Sequence, residues 1–207
     1  MKTKLLTLLG ASILIAALPG RAQLFTLEPD NYADHTVLDH ILGPVSLVTA
    51  DANNRPMPFF PVTAVVESWA GYAPTGAKVF GNAGVSFWNN GVRLRMDFTQ
   101  PADFLSLAFG GGNWAQGETA RLDAFDSNGS LLASYTSQPQ VGGSFETLLV
   151  SRPAGDIAWA VAYLPPDSGS FGRFDSLQFS VVPEPAVFAF LLATAGICAT
   201  RRARARD

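Results

Sequence analysis

Asp34-His35 and Asp39-His40 hold the only two histidines in the chain, and they stand five residues apart. A helical zinc pair needs ligands at i and i+4, and no further histidine completes a set. The single cysteine, Cys198, lies far away near the C-terminus. Two polar loop histidines account for the repeat. Nucleophilic chemistry is no better served. No Gly-x-Ser-x-Gly elbow occurs, and acyl transfer by serine needs that residue held beside a base. Paired carboxylates for glycoside hydrolysis meet only in three dimensions, so a glycan-active hydrolase stays open as a minor alternative. The residue types as a whole point to a protein that is not an enzyme.

Binding chemistry has more to work with. Trp69, Tyr72, Trp88 and Trp114 stand beside glycines or asparagines in "SWAGYAP", "FWNNG" and "GGNWAQG". Aromatic faces stack on the apolar faces of sugar rings, and a few polar groups then fix the hydroxyls. A tryptophan in a glycine-rich loop is more open to solvent than one within a strand, such as Trp159. Trp69 and Trp114 are therefore the leading glycan-binding residues. The rival reading, in which every tryptophan anchors a core, follows from how deeply tryptophans are buried on average. "DANNRP" and "DSNGS" begin like calcium loops. Neither continues to a glycine at position six and a glutamate at twelve, and turn formation explains both.

The elements that must position these residues read as strands. Val92, Leu94, Met96 and Phe98 alternate with Arg93, Arg95 and Asp97, the period of two that a half-buried strand requires. Pro101-Ala102-Asp103 is read as a turn that brings Phe104–Phe109 back. Strands near 119–125 and 130–136 flank Asp126-Ser127-Asn128-Gly129, whose residues tolerate positive φ and suit a hairpin. Val45–Thr49, Val62–Glu67, Phe145–Val150, Ile157–Leu164 and Arg173–Val181 are further strands, with Phe174, Leu177 and Phe179 as core or half-core positions of the last. Asn31–Leu42 has room for a short helical turn. Gly110–Gly112 and Gly142–Gly143 read as mobile loops. Many short strands with frequent turn signals predict an all-β fold, a single antiparallel β-sandwich or jelly roll over residues 23–181. About 160 residues suit one domain with a sizeable core.

The two ends read differently. Lys2 and Lys4 precede an apolar stretch, Leu5–Leu18, and small residues stand at Gly20 and Ala22. This is the pattern of a secretory signal peptide over residues 1–22, cut after Ala22 by signal peptidase. At the other end, Val182-Pro183-Glu184-Pro185 leads into an uncharged run, Ala186–Thr200, and then Arg201, Arg202, Arg204 and Arg206. Positive charge beside an apolar segment holds that end on the cytoplasmic side. Between the ends, residues 23–182 carry seven basic and fifteen acidic side chains, a net −8 against −3 for the whole chain. Such a surface repels phosphate backbones, which argues against nucleic-acid binding.

The order Pro-Glu-Pro, apolar helix, arginine cluster resembles the PEP-CTERM sorting signal of Gram-negative bacteria that make exopolysaccharide. The resemblance covers residues 182–207. It implies recognition by an exosortase, a membrane-embedded cysteine transpeptidase, with Pro183, Glu184 and Pro185 as the recognition element. Ala186–Thr200 would be a transmembrane helix held by the four arginines until processing. The body resembles, more loosely, the galactose-binding-like jelly rolls found in front of this signal. "FTLEPDNYADHTVLD", "MDFTQPADFLSLAF" and "GRFDSLQFS" carry that likeness. It implies a structural calcium where the first and last strands meet, with Glu28, Asp30 and Asp175 as the acids suitably placed. Together these readings describe an exported envelope or matrix protein with a structural or adhesive role in the exopolysaccharide layer, or alternatively a glycan binder like a carbohydrate-binding module.

Overall fold

A computed structural model describes residues 22–41, 43–112, 117–167 and 171–182. The segment read as a signal peptide (all but Ala22), the Pro183-Glu184-Pro185 motif, the apolar tail, the arginine cluster and Trp114 lie outside the described residues. Within them the fold is all-β. In chain order come β1 (Gln23–Leu27), a 3-10 turn (Pro29–Asn31), β2 (Val45–Ala50), β3 (Val62–Val66), β4 (Lys78–Asn82), β5 (Arg93–Gly111), β6 (Arg121–Phe125), β7 (Leu131–Thr136), β8 (Phe145–Ser151), β9 (Ile157–Tyr163) and β10 (Gly172–Val181). No described helix is long and apolar enough to cross a membrane.

The ten strands form one hydrogen-bonded sheet in the order β3-β4-β10-β5-β9-β6-β7, with β1 also on β10 and with β2 and β8 also on β5. β5 explains how one sheet makes two leaves. Its first part, Arg93–Phe98, pairs with β2 and β9. Its second part, Ala102–Gly111, pairs with β8 and β10. One leaf is therefore β2-β5-β9-β6-β7 and the other is β8-β5-β10-β4-β3. Leu47, Leu94, Met96, Leu122 and Ala162 of the first leaf join one buried core with Phe80, Leu105, Phe109, Phe174 and Phe179 of the second. This is the arrangement of a β-sandwich.

Two sequence expectations are corrected here. Pro101 does not turn the chain back, because β5 runs unbroken for 19 residues. Proline is tolerated where a strand needs no donor, and Pro101 falls where the β9 register breaks between Asp97 and Ala102. Gly110 and Gly111 are strand residues paired to β10, not a loop. β4, which sequence reading passed over, lies between β3 and β10. The helical turn sought in 31–42 occurs just before it, at Pro29–Asn31. The hairpin at 126–129 forms as read. Asp126 Oδ1 accepts from the amides of Asn128 and Ser130 at 2.8 Å, and Gly129 takes φ +81°. Asp51 does the same for Asn53 and Arg55, so both calcium-like stretches are Asx turns.

β10 carries the irregularity that matters most. Phe174, Leu177 and Phe179 are all buried in the core, yet 174 and 177 differ by an odd number. A strand of period two cannot point both inward without one extra residue. The register shifts between Asp175 and Gln178, and Ser176 adopts φ +46° to absorb it. Arg173 and Asp175 consequently face away from the core, two residues apart. Even so, both are buried, at 4% and 0% exposure. Side chains from other elements must cover two ionisable groups on the outer face of one strand.

Candidate functional site

Arg173 is covered by a group of aromatic rings and one acid. Its Nε donates to Glu67 Oε2 at 2.7 Å and its Nη2 to Glu67 Oε1 at 3.3 Å. Glu67 follows β3 directly, and its Oε1 also accepts from the Trp69 amide at 3.2 Å. The guanidinium lies 5.1 Å from the ring centre of Tyr72 and 5.6 Å from that of Phe171. Burial of this kind is tolerable only because the charge is paired and partly faced by π-systems. One nitrogen is left over. Arg173 Nη1 is buried and has no hydrogen-bond partner.

Above this pair opens a cleft of about 480 Å³. Trp69, Phe87 and Phe171 supply apolar wall, and Asp34, His35 and Ser86 supply polar rim. Trp69 is 50% exposed. Its ring meets Tyr72 edge-on at 5.4 Å, which leaves it held but open. Phe87 and Phe171 form a tilted pair at 5.4 Å. The cleft thus combines exposed aromatic surface with a polar rim and a wall held by a buried ion pair. Trp69 was picked out from the sequence. Arg173, Glu67, Phe87 and Phe171 were not.

The other tryptophans differ. Trp88 is wholly buried, and its indole N–H donates to the Phe80 carbonyl at 2.7 Å, so it is a core anchor. Tyr72 is 1% exposed and serves as the floor under Arg173. Trp159 sits on the outer face of the other leaf. Phe125 stacks on it at 3.9 Å and Arg95 lies 4.2 Å from its ring centre. β6 and β5 flank β9 from opposite sides, so the indole is sandwiched and presents no free face. Beside it, Arg93 lies over Tyr163 at 4.0 Å, and Asp123 accepts from Arg121, Ser134 and Tyr163. That face is a self-satisfied network that tiles the sheet.

The histidine dipeptides are explained by an edge. β3 is the last strand of its leaf, and the segment around residues 34–39 covers it. Asp34 Oδ1 accepts the Val66 amide and Asp39 Oδ1 the Val62 amide, each at 2.9 Å. The two aspartates satisfy main-chain donors that an edge strand leaves open, and the histidines follow them in sequence.

Asp175 is covered by the start of the chain. Thr75 reaches over it, with its amide at 2.9 Å and its hydroxyl at 2.8 Å from Asp175 Oδ2. The same hydroxyl is 2.8 Å from Glu28 Oε1. One hydroxyl carries one proton, so it donates in only one of these two contacts. The other contact needs a proton on a carboxyl group or a cation between the acids. Burial pushes the Asp175 carboxyl up to about 8, against the lowering effect of the Thr75 hydrogen bonds. Asp30, the third acid expected here, turns away. Its Oδ1 accepts the amides of Ala77 and Lys78 at 2.9 and 3.0 Å. Among the described residues, no three His, Cys, Asp or Glu side chains are grouped to hold a metal ion. The structure therefore joins Glu28 to Asp175 and separates Asp30 from them.

No family model matches the chain, and no curated protein does. Several solved structures resemble it at low similarity. The K2 cleaved adhesin domain of Lys-gingipain aligns over 76% of this chain and 99% of its own, at 14% identity and a TM-score of 0.46. The family 22 carbohydrate-binding module of Clostridium thermocellum Xyn10B aligns over 75% and 96%, at 14% identity and 0.39. The K1 adhesin domain of Lys-gingipain from Porphyromonas gingivalis W83 aligns over 78% and 99%, at 13% identity and 0.36. What the chain shares with known proteins is thus a distant likeness in shape, and its chemistry rests on its own residues.

Proposed function

We propose that this protein is an exported, non-catalytic adhesin of the cell envelope or extracellular matrix, and that it holds glycan in the cleft over Arg173. The observation that carries this reading is a half-exposed Trp69 that lines, with Phe87 and Phe171, one cleft with a polar rim. An aromatic face takes the apolar side of a sugar ring, and the rim residues Asp34, His35 and Ser86 meet its hydroxyls. The fold is read as a jelly roll, with the first and last strands, β1 and β10, paired. Export and sorting follow the terminal segments: the signal peptide at residues 1–22 and the PEP-CTERM signal at 182–207, handled by an exosortase. In native cells the mature protein should lack Arg201–Arg206; an intact mass that still includes them would overturn the sorting reading. The binding test is retention of the purified protein on exopolysaccharide from the source cells. Wild type should be retained and Trp69→Ala released. Equal retention of both would remove this cleft from the function.

The Glu28–Asp175 pair supports a second element of the proposal, a structural cation. The donor set is all oxygen, as a hard ion such as calcium requires, and the pair is short of protons for its own hydrogen bonds. Glu28, Asp175 and the Thr75 hydroxyl would hold the ion. A bound cation would neutralise the buried carboxylates and tie the start of the domain to its closing strand.

A further inference from the structure

If the cleft over Arg173 is the glycan site, its electrostatics restrict which glycans enter. We infer that it takes an uncharged sugar and excludes uronates and sulfated sugars. A lone arginine in a binding cleft ordinarily suggests an anionic ligand, because guanidinium and carboxylate form bidentate pairs. Here that fork is already occupied. Nε and Nη2 both face Glu67, and the two side chains are only 5% and 2% exposed. Arg173 is therefore already half of a neutral pair. A ligand carboxylate drawn to it would become a second anion beside Glu67, in a place where water does little to screen the repulsion.

The rest of the lining acts in the same direction. Among the described residues, the Asp, Glu, Lys and Arg side chains that line the cleft are Asp34, Glu67 and Arg173, and these three carry a net −1 before any ligand arrives. At longer range the body at −8 adds to this, although salt screens that part beyond about 10 Å. An oxygen of a neutral sugar meets none of these penalties. The sugar's hydroxyls are left to the polar rim of Asp34, His35 and Ser86, and the ring's apolar side lies against Trp69, Phe87 or Phe171. Arg173 is thus a positioning residue: it fixes Glu67 beside the cleft and leaves no open fork for an anion.

The test is affinity electrophoresis of the purified protein in gels containing neutral polysaccharides (galactan, mannan, xylan, glucan) or acidic ones (polygalacturonate, alginate, a sulfated galactan). Retardation is expected in at least one neutral gel, sensitive to Trp69→Ala and little changed between 50 and 500 mM salt. Acidic gels should retard at least about tenfold less. Glu67→Gln keeps the shape and removes the anion, so it should raise acidic-glycan binding if it folds. Asp34→Asn removes the rim charge and should shift the ratio the same way. Acidic gels that retard the wild type as strongly as neutral ones, in a Trp69-dependent manner, would overturn the inference and leave the glycan reading standing. No retardation by any of these polysaccharides, nor by the native exopolysaccharide, would overturn the glycan reading itself.

Discussion

Replacing Asp175 with asparagine removes a buried carboxyl and keeps its shape. Asp175 is fully buried, and burial raises it from 3.8 to about 8. In metal-free protein the folded state therefore prefers the protonated form more than the unfolded state does. The associated stability is complete below about pH 4 and is lost as pH rises towards 8. A gap of about 4 pH units at about 1.4 kcal/mol each bounds the effect at about 6 kcal/mol. Relaxation and water entry reduce that, and a third of it, about 2 kcal/mol, would move Tm by about 4–8 °C in a domain of this size. Calorimetry from pH 4.5 to 8.5 in chelator should show the wild type losing Tm across this interval and Asp175→Asn losing much less. Millimolar calcium should restore the wild type at pH 8 by the linkage RT ln(1 + [L]/Kd) and leave Asp175→Asn unmoved. Parallel pH profiles for the two proteins in chelator would refute the buried acid. Absence of any calcium effect on a wild type that does show the pH loss would refute the cation alone.

Three further substitutions separate roles that the sequence makes look alike. Trp88→Ala should cost about 3–5 kcal/mol in urea unfolding, whereas Trp69→Ala, half exposed, should cost about 1 kcal/mol and act on retention by polysaccharide. Glu67→Ala should cost about 3–5 kcal/mol because it strands the Arg173 charge; adding Arg173→Met should recover part of that loss in the same assay. Gly76 has φ +48°, and a Cβ there would run into the Asp30 carboxylate. Gly76→Ala should therefore lower the urea midpoint by the equivalent of about 1–3 kcal/mol.

Local patterns in the sequence predicted local structure well. The alternation of Arg93, Arg95 and Asp97 with Leu94 and Met96 is the β5 pleat as observed, and Asp126–Gly129 turns as its side chains dictate. The bulge in β10 was also implicit, because two phenylalanines and a leucine with mixed parity cannot share one face. Pro101 was misread because a proline between two apolar runs looks the same whether the chain reverses or passes between two sets of partners. Trp88 and Trp69 both neighbour glycine or asparagine, so composition could not tell the core anchor from the exposed ring. Glu67 and Arg173 are 106 residues apart, and nothing local in either segment names its partner. Asp30 was grouped with Glu28 by proximity in the chain, but its carboxylate is taken by the amides of Ala77 and Lys78.

β10 also sets how the domain would carry a load. The cleft lies over Arg173, at the start of this strand, and the tail leaves from its end, just past Val181. Were a ligand held at one end and the tail fixed at the other, tension would run along about 26 Å of a single strand. β5 borders it along nearly its whole length, and β1 borders its final five residues. Force along that axis loads these hydrogen bonds in shear, many at once, instead of opening them one by one from an end. A tethered molecule of this design would hold firmly until the ladder fails as a unit.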